Sequence, residues 1–236
     1  MGQLRSAMAA LVAIVLLGGA PARAAEKSIG LTSFERIVLT GDFAVEVVTA
    51  APLRAVVSGS PDALDRAELR SNAGILTISD RRFGSVRQRG EGAGRVTIRI
   101  QAARLRSATV AGAGSLTIDR LSGARVELVL RGPGALAVGN IAADRLALSL
   151  VGNGKVTLAG AVKSAEAAVT GAGVVDASAL AVTDLVVNSE GAGDQRWRAS
   201  RTAQGTLRGI GRLQIDGKAK CTIRNIGSGT LVCGQP

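Results

Sequence analysis

The 236-residue chain contains no histidine and no tyrosine, one tryptophan, three phenylalanines, two cysteines and five prolines. Without imidazole there can be no Ser-His-Asp triad, no Cys-His dyad, no histidine metal site and no haem ligand of the usual kind. So few rings cannot build the stacking platforms of single-strand nucleic-acid binders, so the formal net charge of +11 is not by itself a nucleic-acid signature. A nucleic acid is not expected as a specific partner. What is abundant is small and aliphatic: 31 Gly, and a hydrophobic content of 47% drawn almost wholly from Ala, Val, Leu and Ile. That is enough apolar mass for a sizeable core, and the length suits one or at most two domains.

The first 24 residues read as a signal peptide. Arg5 gives a positive start, Ala7 to Leu17 is an uncharged apolar run, and Ala22-Arg23-Ala24 is a small-x-small cleavage site, with a cut after Ala24 or, as the near alternative, Ala25. The run is shorter than the roughly 20 residues that span a bilayer. No cysteine lies near the cut and no second run of spanning length follows. The expectation is export to the periplasm, the cell surface or the medium, with residues 25–33 as a short linker.

Gly-x-Gly recurs at Gly112 and Gly114, Gly132 and Gly134, Gly152 and Gly154, Gly171 and Gly173, Gly191 and Gly193, Gly209 and Gly211, and Gly227 and Gly229, in steps of 20, 20, 19, 20, 18 and 18 residues. Two and four residues after the second Gly stand apolar pairs such as Leu116 and Ile118, Leu136 and Val138, Val156 and Leu158. Six, four and two residues before the first stand triplets such as Val126, Leu128 and Leu130, or Leu146, Leu148 and Leu150. Each repeat is therefore two alternating strands joined by polar turns such as Asp119 to Gly123. This pattern predicts an all-β fold, a parallel β-solenoid with coils of about twenty residues over 107–236. The paired glycines are its structural corners, where the chain turns sharply through positive φ and a neighbouring corner leaves no room for a Cβ.

Sharper readings of Gly-x-Gly fail. A dinucleotide fingerprint needs a third glycine and a following helix. Calcium nonapeptides need a nine-residue period with a recurrent Asp, and only Gly193-Asp194 shows that step. No cofactor is expected. In Asp194-Gln195-Arg196-Trp197-Arg198 the inward slots fall on Gln195 and Trp197, so either the register slips or Trp197 fills a wider part of the core. Core filling is favoured over a ligand-stacking ring.

Residues 34–106 read as an N-terminal β cap, needed because an open coil exposes an unpaired edge. Its motifs are Phe34-x-x-Ile37-x-Leu39-x-Gly41-x-Phe43-x-Val45, Leu76-x-Ile78 and Val96-Thr97-Ile98-x-Ile100. Gly92-Ala93-Gly94 falls in a basic, glycine-rich stretch, expected as a flexible approach to the first coil. With the Gly-x-Gly coils, these motifs resemble the head GIN domain family, described as auto-transporter adhesins, over residues 34–217. The resemblance implies a right-handed β-helical, exported, non-catalytic surface or periplasmic protein. No long passenger or membrane barrel accompanies it, so literal autotransport is not expected.

Charge is clustered. Residues 25–80 carry a net −3 and 107–195 a net −2, whereas 81–106 and 196–236 each carry +7. The first basic block is Arg81, Arg82, Arg87, Arg89, Arg95, Arg99, Arg104 and Arg106. The second is Arg196, Arg198, Arg201, Arg208, Arg212, Lys218, Lys220 and Arg224. Arginine forks suit phosphate and carboxylate, so candidate partners are anionic polysaccharide, lipopolysaccharide or another polyanion of the envelope, beside the plain reading of a solvated basic surface.

Cys221 and Cys233 both fall on inward columns at the last coils, twelve residues apart, placed to form a disulfide that pins the C-terminal end. No CxxC or further ligand suggests a metal or redox site.

β-Helical polysaccharide enzymes gather carboxylates over adjacent coils. Here Asp119 and Asp216 share a post-strand position but are five coils apart, with Gly139, Ala159, Ser178 and Arg198 between them. The leading expectation is an exported, non-catalytic interaction module, adhesin-like or envelope-associated. The alternatives are a polysaccharide-active β-helix enzyme and a purely structural periplasmic protein. A continuous basic face without a cleft would favour binding, and a groove with clustered Asp would favour the enzyme.

Overall fold

Strict apolar alternation at a period near twenty residues forces each strand to find its apolar partner one coil away. The fold is the stack that results. The computed structural model describes residues 25–50, 52–81 and 96–235. The proposed signal peptide and Gly92-Ala93-Gly94 lie outside the described residues.

Ala25–Gly30 (β1) comes first in the described chain, and Arg36–Thr40 (β2) and Ala44–Thr49 (β3) flank Gly41. Arg54–Gly59 (β4) leads into the helix Pro61–Arg66 (α1), then Ala67–Asn72 (β5) and Ile75–Asp80 (β6) form a hairpin. Thr97–Ala102 (β7) and Ser107–Ala111 (β8) follow. Five long strands make nearly a whole coil each: Ser115–Arg131 (β9), Ala135–Val151 (β10), Lys155–Gly171 (β11), Val174–Gly191 (β12) and Asp194–Gly209 (β13). Arg212–Asp216 (β14), Lys220–Gly227 (β15) and Thr230–Gln235 (β16) complete the stack.

Strands β9 to β13 pair in parallel, each on the next, and the inward residues fall into columns. One runs Leu116, Leu136, Val156, Val175, Gln195, Leu213 and Leu231, and another Leu128, Leu148, Ala167, Val187, Gly205 and Ile223. Nearly all of these aliphatic side chains in the middle coils are fully buried. Burying each Val, Leu or Ile contributes about 1.5–3 kcal/mol, so the columns supply most of the driving force.

The corners stack as tightly as the columns, but the two glycines of a pair are required for different reasons. Positive φ belongs only to the first of each pair, Gly112, Gly132, Gly152, Gly171, Gly191, Gly209 and Gly227. The second glycines, Gly114, Gly134, Gly154, Gly173, Gly193, Gly211 and Gly229, lie outside that left-handed region, which corrects the expectation that the whole corner turns through it. They are needed for space alone. A Cβ on Gly154 would lie 2.6 Å from the carbonyl oxygen of Gly134, on Gly173 2.9 Å from that of Gly154 and 2.7 Å from Leu150 Cδ2, and on Gly229 2.6 Å from the Gly211 carbonyl. Gly152 meets both demands, with φ +118° and a Cβ position 3.0 Å from the Gly132 carbonyl. Backbone bonds tie successive corners, as in Ala135 N–H to Gly114 O at 3.0 Å and Lys155 N–H to Gly134 O at 3.0 Å.

The structure departs from the sequence reading in three further places. The polar turns are themselves a short third side of each coil: Leu121 pairs with Ile141, Ile141 with Gly160, Val162 with Val182, and Val182 with Ala199. Leu121, Ile141, Val162, Leu180, Val182 and Ala199 are buried there. One or two apolar side chains suffice for so short a side, and its polar neighbours face out.

Second, Phe34 to Thr49 is a rung of the stack. Strand β2 lies parallel to β8, and β3 lies parallel to the start of β9. Gly41, at φ +120°, continues the corner column, its carbonyl accepting from Gly114 N–H at 2.8 Å. Strands β6 and β7 stack in parallel on its far side. Third, the supposed linker is strand β1. The end is covered by reversal of chain direction, with β5 antiparallel to β6, β4 to β7 and β1 to β4. Arg66 locks this cap, with Nη2 donating to Asp80 at 2.6 Å and to Asp42 at 3.1 Å while the guanidinium stacks 5.9 Å from the Phe43 ring. The Asp80 hydrogen bonds, ahead of the nearby charges, raise the Arg66 pKa.

Candidate functional site

The short third side creates a concavity. Its inward residues are taken up by the core, and its outward positions hold Ala142, Ala161 and Ala181, which lie side by side on successive coils. Short side chains on a short side leave a groove of about 1070 Å³, reaching from Gly123 to Gly217 and Lys218. Val162 and Val182 contribute to its lining, and the charged residues along it are Asp144, Lys163, Arg198 and Lys218. Lys163 Nζ lies 2.7 Å from Asp144, and this bond holds the Asp144 carboxyl below its usual range. Arg198 and Lys218 have no ion pair among the described residues.

The groove does not carry clustered carboxylates. Both oxygens of Asp119 are taken by Thr49, at 2.9 Å from its N–H and 2.8 Å from its hydroxyl. Asp216 accepts from Gln214 Nε2 at 2.8 Å, and Asp176 accepts from the Ser178 hydroxyl at 2.7 Å and its N–H at 3.2 Å, bonds that hold Asp176 below the usual carboxylate range. These acids are engaged in structural bonds, Asp119 to the end of β3 and Asp176 and Asp216 within their own strands. Among the described residues no group of three or more His, Cys, Asp or Glu could hold a metal.

The described residues of the two basic blocks occupy opposite ends of the stack. In the first, Arg81 follows β6, Arg99 on β7 lies 3.3 Å from Glu46, Arg106 lies 2.9 Å from Glu35, and Arg104 is exposed. Arg82, Arg87, Arg89 and Arg95 lie outside the described residues. The second block wraps the last coils. Arg208 and Arg212 flank the corner Gly209-Ile210-Gly211, Arg196 donates to Gln214 at 3.1 Å, Arg198 and Lys218 edge the groove, and Lys220 and Arg224 stand on β15. Arg201 grips Asp184 through Nε at 2.7 Å and through Nη2, while the Thr202 hydroxyl donates at 2.7 Å. The Arg201 bond, then Thr202, lowers the Asp184 pKa. The cations thus form a collar around several sides and not one flat face.

Cys221 and Cys233 form a disulfide with Cα atoms 6.5 Å apart, joining β15 to β16. Trp197 is fully buried and unavailable for ligand stacking. The groove had no counterpart in the sequence reading, because its floor is one outward alanine per coil inside segments taken for turns.

Residues 33–219 match the family described as "Putative auto-transporter adhesin, head GIN domain". Among solved structures, the fold is similar to that of a "putative adhesin" from Bacteroides fragilis, with a TM-score of 0.81 and 18% identity over 90% of this chain and 98% of that one. It is similar to a "putative lipid binding protein" from Parabacteroides distasonis, with a TM-score of 0.69 and 18% identity over 90% and 97%. It also resembles a "putative adhesin" from Parabacteroides merdae, with a TM-score of 0.68 and 15% identity over 90% and 96%. At such identities the likeness establishes the fold. No curated protein matches the sequence.

Proposed function

Because the chain belongs to the head GIN domain family, sharing its fold over residues 33–219, we propose that it is an exported, non-catalytic, adhesin-like module that grips an anionic glycan, lipopolysaccharide or other polyanion through its last coils. The observation that carries this reading is the charge of residues 196–236, where eight cations face one carboxylate, Asp216. Of those cations only Arg201 is ion-paired among the described residues. A collar of unpaired arginines on a rigid stack presents fork donors at fixed positions, and the collective field draws polyanions in. Arg208, Arg212 and Arg224 are exposed and their backbone is held in ladders, so replacing them leaves the core intact.

A non-catalytic role is supported by the carboxylates along the coils. Asp119, Asp144, Asp176 and Asp184 are each engaged in structural bonds, and Asp144 is the one carboxylate in the lining of the groove. Among the described residues no helix is long and apolar enough to cross a membrane.

Retention on immobilised heparin tests the reading. The protein with Arg208→Glu, Arg212→Glu and Arg224→Glu should elute at clearly lower salt than the unaltered protein, and equal elution would refute it.

A further inference from the structure

We propose that the groove on the third side of the coils holds a long-chain fatty acid, its tail lying over Ala142, Ala161 and Ala181 and its carboxylate seated between Arg198 and Lys218. The groove crosses the coils at right angles to the strands. From Gly123 through Ala143, Val162, Val182 and Ala199 to Gly217 it steps five coils, or about 24 Å at a strand spacing of about 4.8 Å. That is the reach of a single extended acyl chain, and the volume of about 1070 Å³ leaves room for it.

The chemistry of the floor selects the tail. The middle coils beneath it are interior members of a parallel ladder, with Ala142 paired to Ala161 and Ala161 to Ala181, so the main chain there is already hydrogen-bonded on both sides. It has no strand edge to offer an extended peptide. It has no aromatic side chain on which a sugar ring could stack, the chain's one tryptophan being buried in the core. Beside the Asp144–Lys163 pair and the cations at the end, the polar side chains of the lining are Thr183 and Ser200, the latter donating to the Val182 carbonyl at 3.3 Å, so a ligand with polar groups along its length would lose more hydration there than these few groups replace. A methylene chain has no such groups to lose and removes its own surface and that of the alanines from water.

The charges select and orient the head. Asp144 and Lys163 neutralise each other part-way along the groove. The remaining lining charges, Arg198 and Lys218, are both positive, stand on neighbouring coils at the C-terminal end, and have no ion pair among the described residues. An acidic head belongs at that end with the tail running towards Gly123. A cationic head group of the same tail length has nowhere favourable to sit.

Isothermal titration of the purified protein with sodium palmitate below its micellar concentration tests this. Saturable one-to-one binding is expected. Ala161→Glu, an exposed position, puts a charge in the floor and should weaken binding about tenfold or more, as should Ala142→Glu. Arg198→Glu with Lys218→Glu should weaken palmitate and strengthen cetyltrimethylammonium, the cationic head on a like tail. Absence of palmitate binding, or unchanged binding in both alanine variants with unchanged melting temperatures, would overturn the proposal. Heparin retention of Ala161→Glu should equal that of the unaltered protein, so the polyanion reading stands or falls separately.

Discussion

Trp197 donates its indole N–H to Oε1 of Gln195, two residues earlier on β13, at 3.3 Å. Gln195 Nε2 in turn donates to the Ser189 hydroxyl at 2.6 Å, so Ser189 and Gln195, both buried in the core, satisfy one another and the ring. The register holds here, with Val175 beside Gln195 and Ala177 beside Trp197, and slips only afterwards, where Ala181 meets Arg198. Beside Leu207, the same coil supplies Ala199, Ala203 and Gly205 at inward slots, small residues that leave volume for the indole. Gln195→Leu strands the indole N–H and the Ser189 hydroxyl and should cost about 1–3 kcal/mol. Trp197→Ala should cost about 3–5 kcal/mol. Chemical denaturation measures both, and a cost below about 0.5 kcal/mol for either, the size typical of surface changes, would contradict the buried arrangement.

Corner glycines should not be interchangeable with alanine. Gly154→Ala drives a Cβ into the Gly134 carbonyl and against Leu130, with little room to yield, and is expected to destabilise by about 1–3 kcal/mol. Gly152→Ala adds a strained positive φ of similar cost. Gly30→Ala meets nothing within 4 Å and should be near neutral. Melting temperatures of the three variants give the order directly.

The disulfide closes the end of the stack where β15 and β16 each have a neighbour on one side only. Cys221→Ser with Cys233→Ser should cost about 3 kcal/mol from the loop-closure entropy of the unfolded chain. Amide exchange should rise first in residues 220–235 and little in β9 to β12. Mass analysis without reductant should find no free thiol in the purified protein.

Acid should be the sensitive direction of pH. The pKa values of Asp144, Asp176 and Asp184 are all depressed by bonds to the charged form, chiefly from Lys163, Ser178 and Arg201. Their contribution is fully present above the unfolded aspartate pKa of about 3.9 and is lost as pH falls through the lower folded values. No histidine exists to titrate nearer neutrality. Stability measured by denaturant should therefore hold between about pH 5 and 8 and fall below about pH 4, less steeply in Asp176→Asn. A decline already under way at about pH 6 would contradict these assignments.

Much of this structure was legible because a solenoid repeats its own evidence. Each coil restated the corner glycines and the two apolar alternations, so Leu116, Leu136 and Val156 could be placed on one column from spacing alone. The division of labour within a corner was not legible, since Gly171 and Gly173 are the same letter whether positive φ or a crowding carbonyl demands them. Nor was the third side, since Leu121 or Ile141 is a single apolar residue among polar ones and carries no period of its own within a coil. The rung built from β2 and β3 was hidden for another reason. Its partners β8 and β9 lie some seventy residues on in the chain, and Phe43 stands where the other corners have their second glycine, beside Gly114. Charge could be counted from sequence but not arranged. That Arg99 and Arg106 are spent on Glu46 and Glu35, while Arg208, Arg212 and Arg224 have no ion pair among the described residues, depends on which strands meet.

On the proposed reading, placement of charge and not its total makes the last coils a recognition surface. Two triple variants separate these possibilities: Arg208→Glu, Arg212→Glu, Arg224→Glu at the last coils, and Arg54→Glu, Arg81→Glu, Arg104→Glu at the opposite end, identical in net charge and all at exposed positions. In salt elution from immobilised heparin, the first should leave the column well before the unaltered protein and the second close to it. Equal early elution of both, or no shift in the first, would contradict recognition through the C-terminal coils.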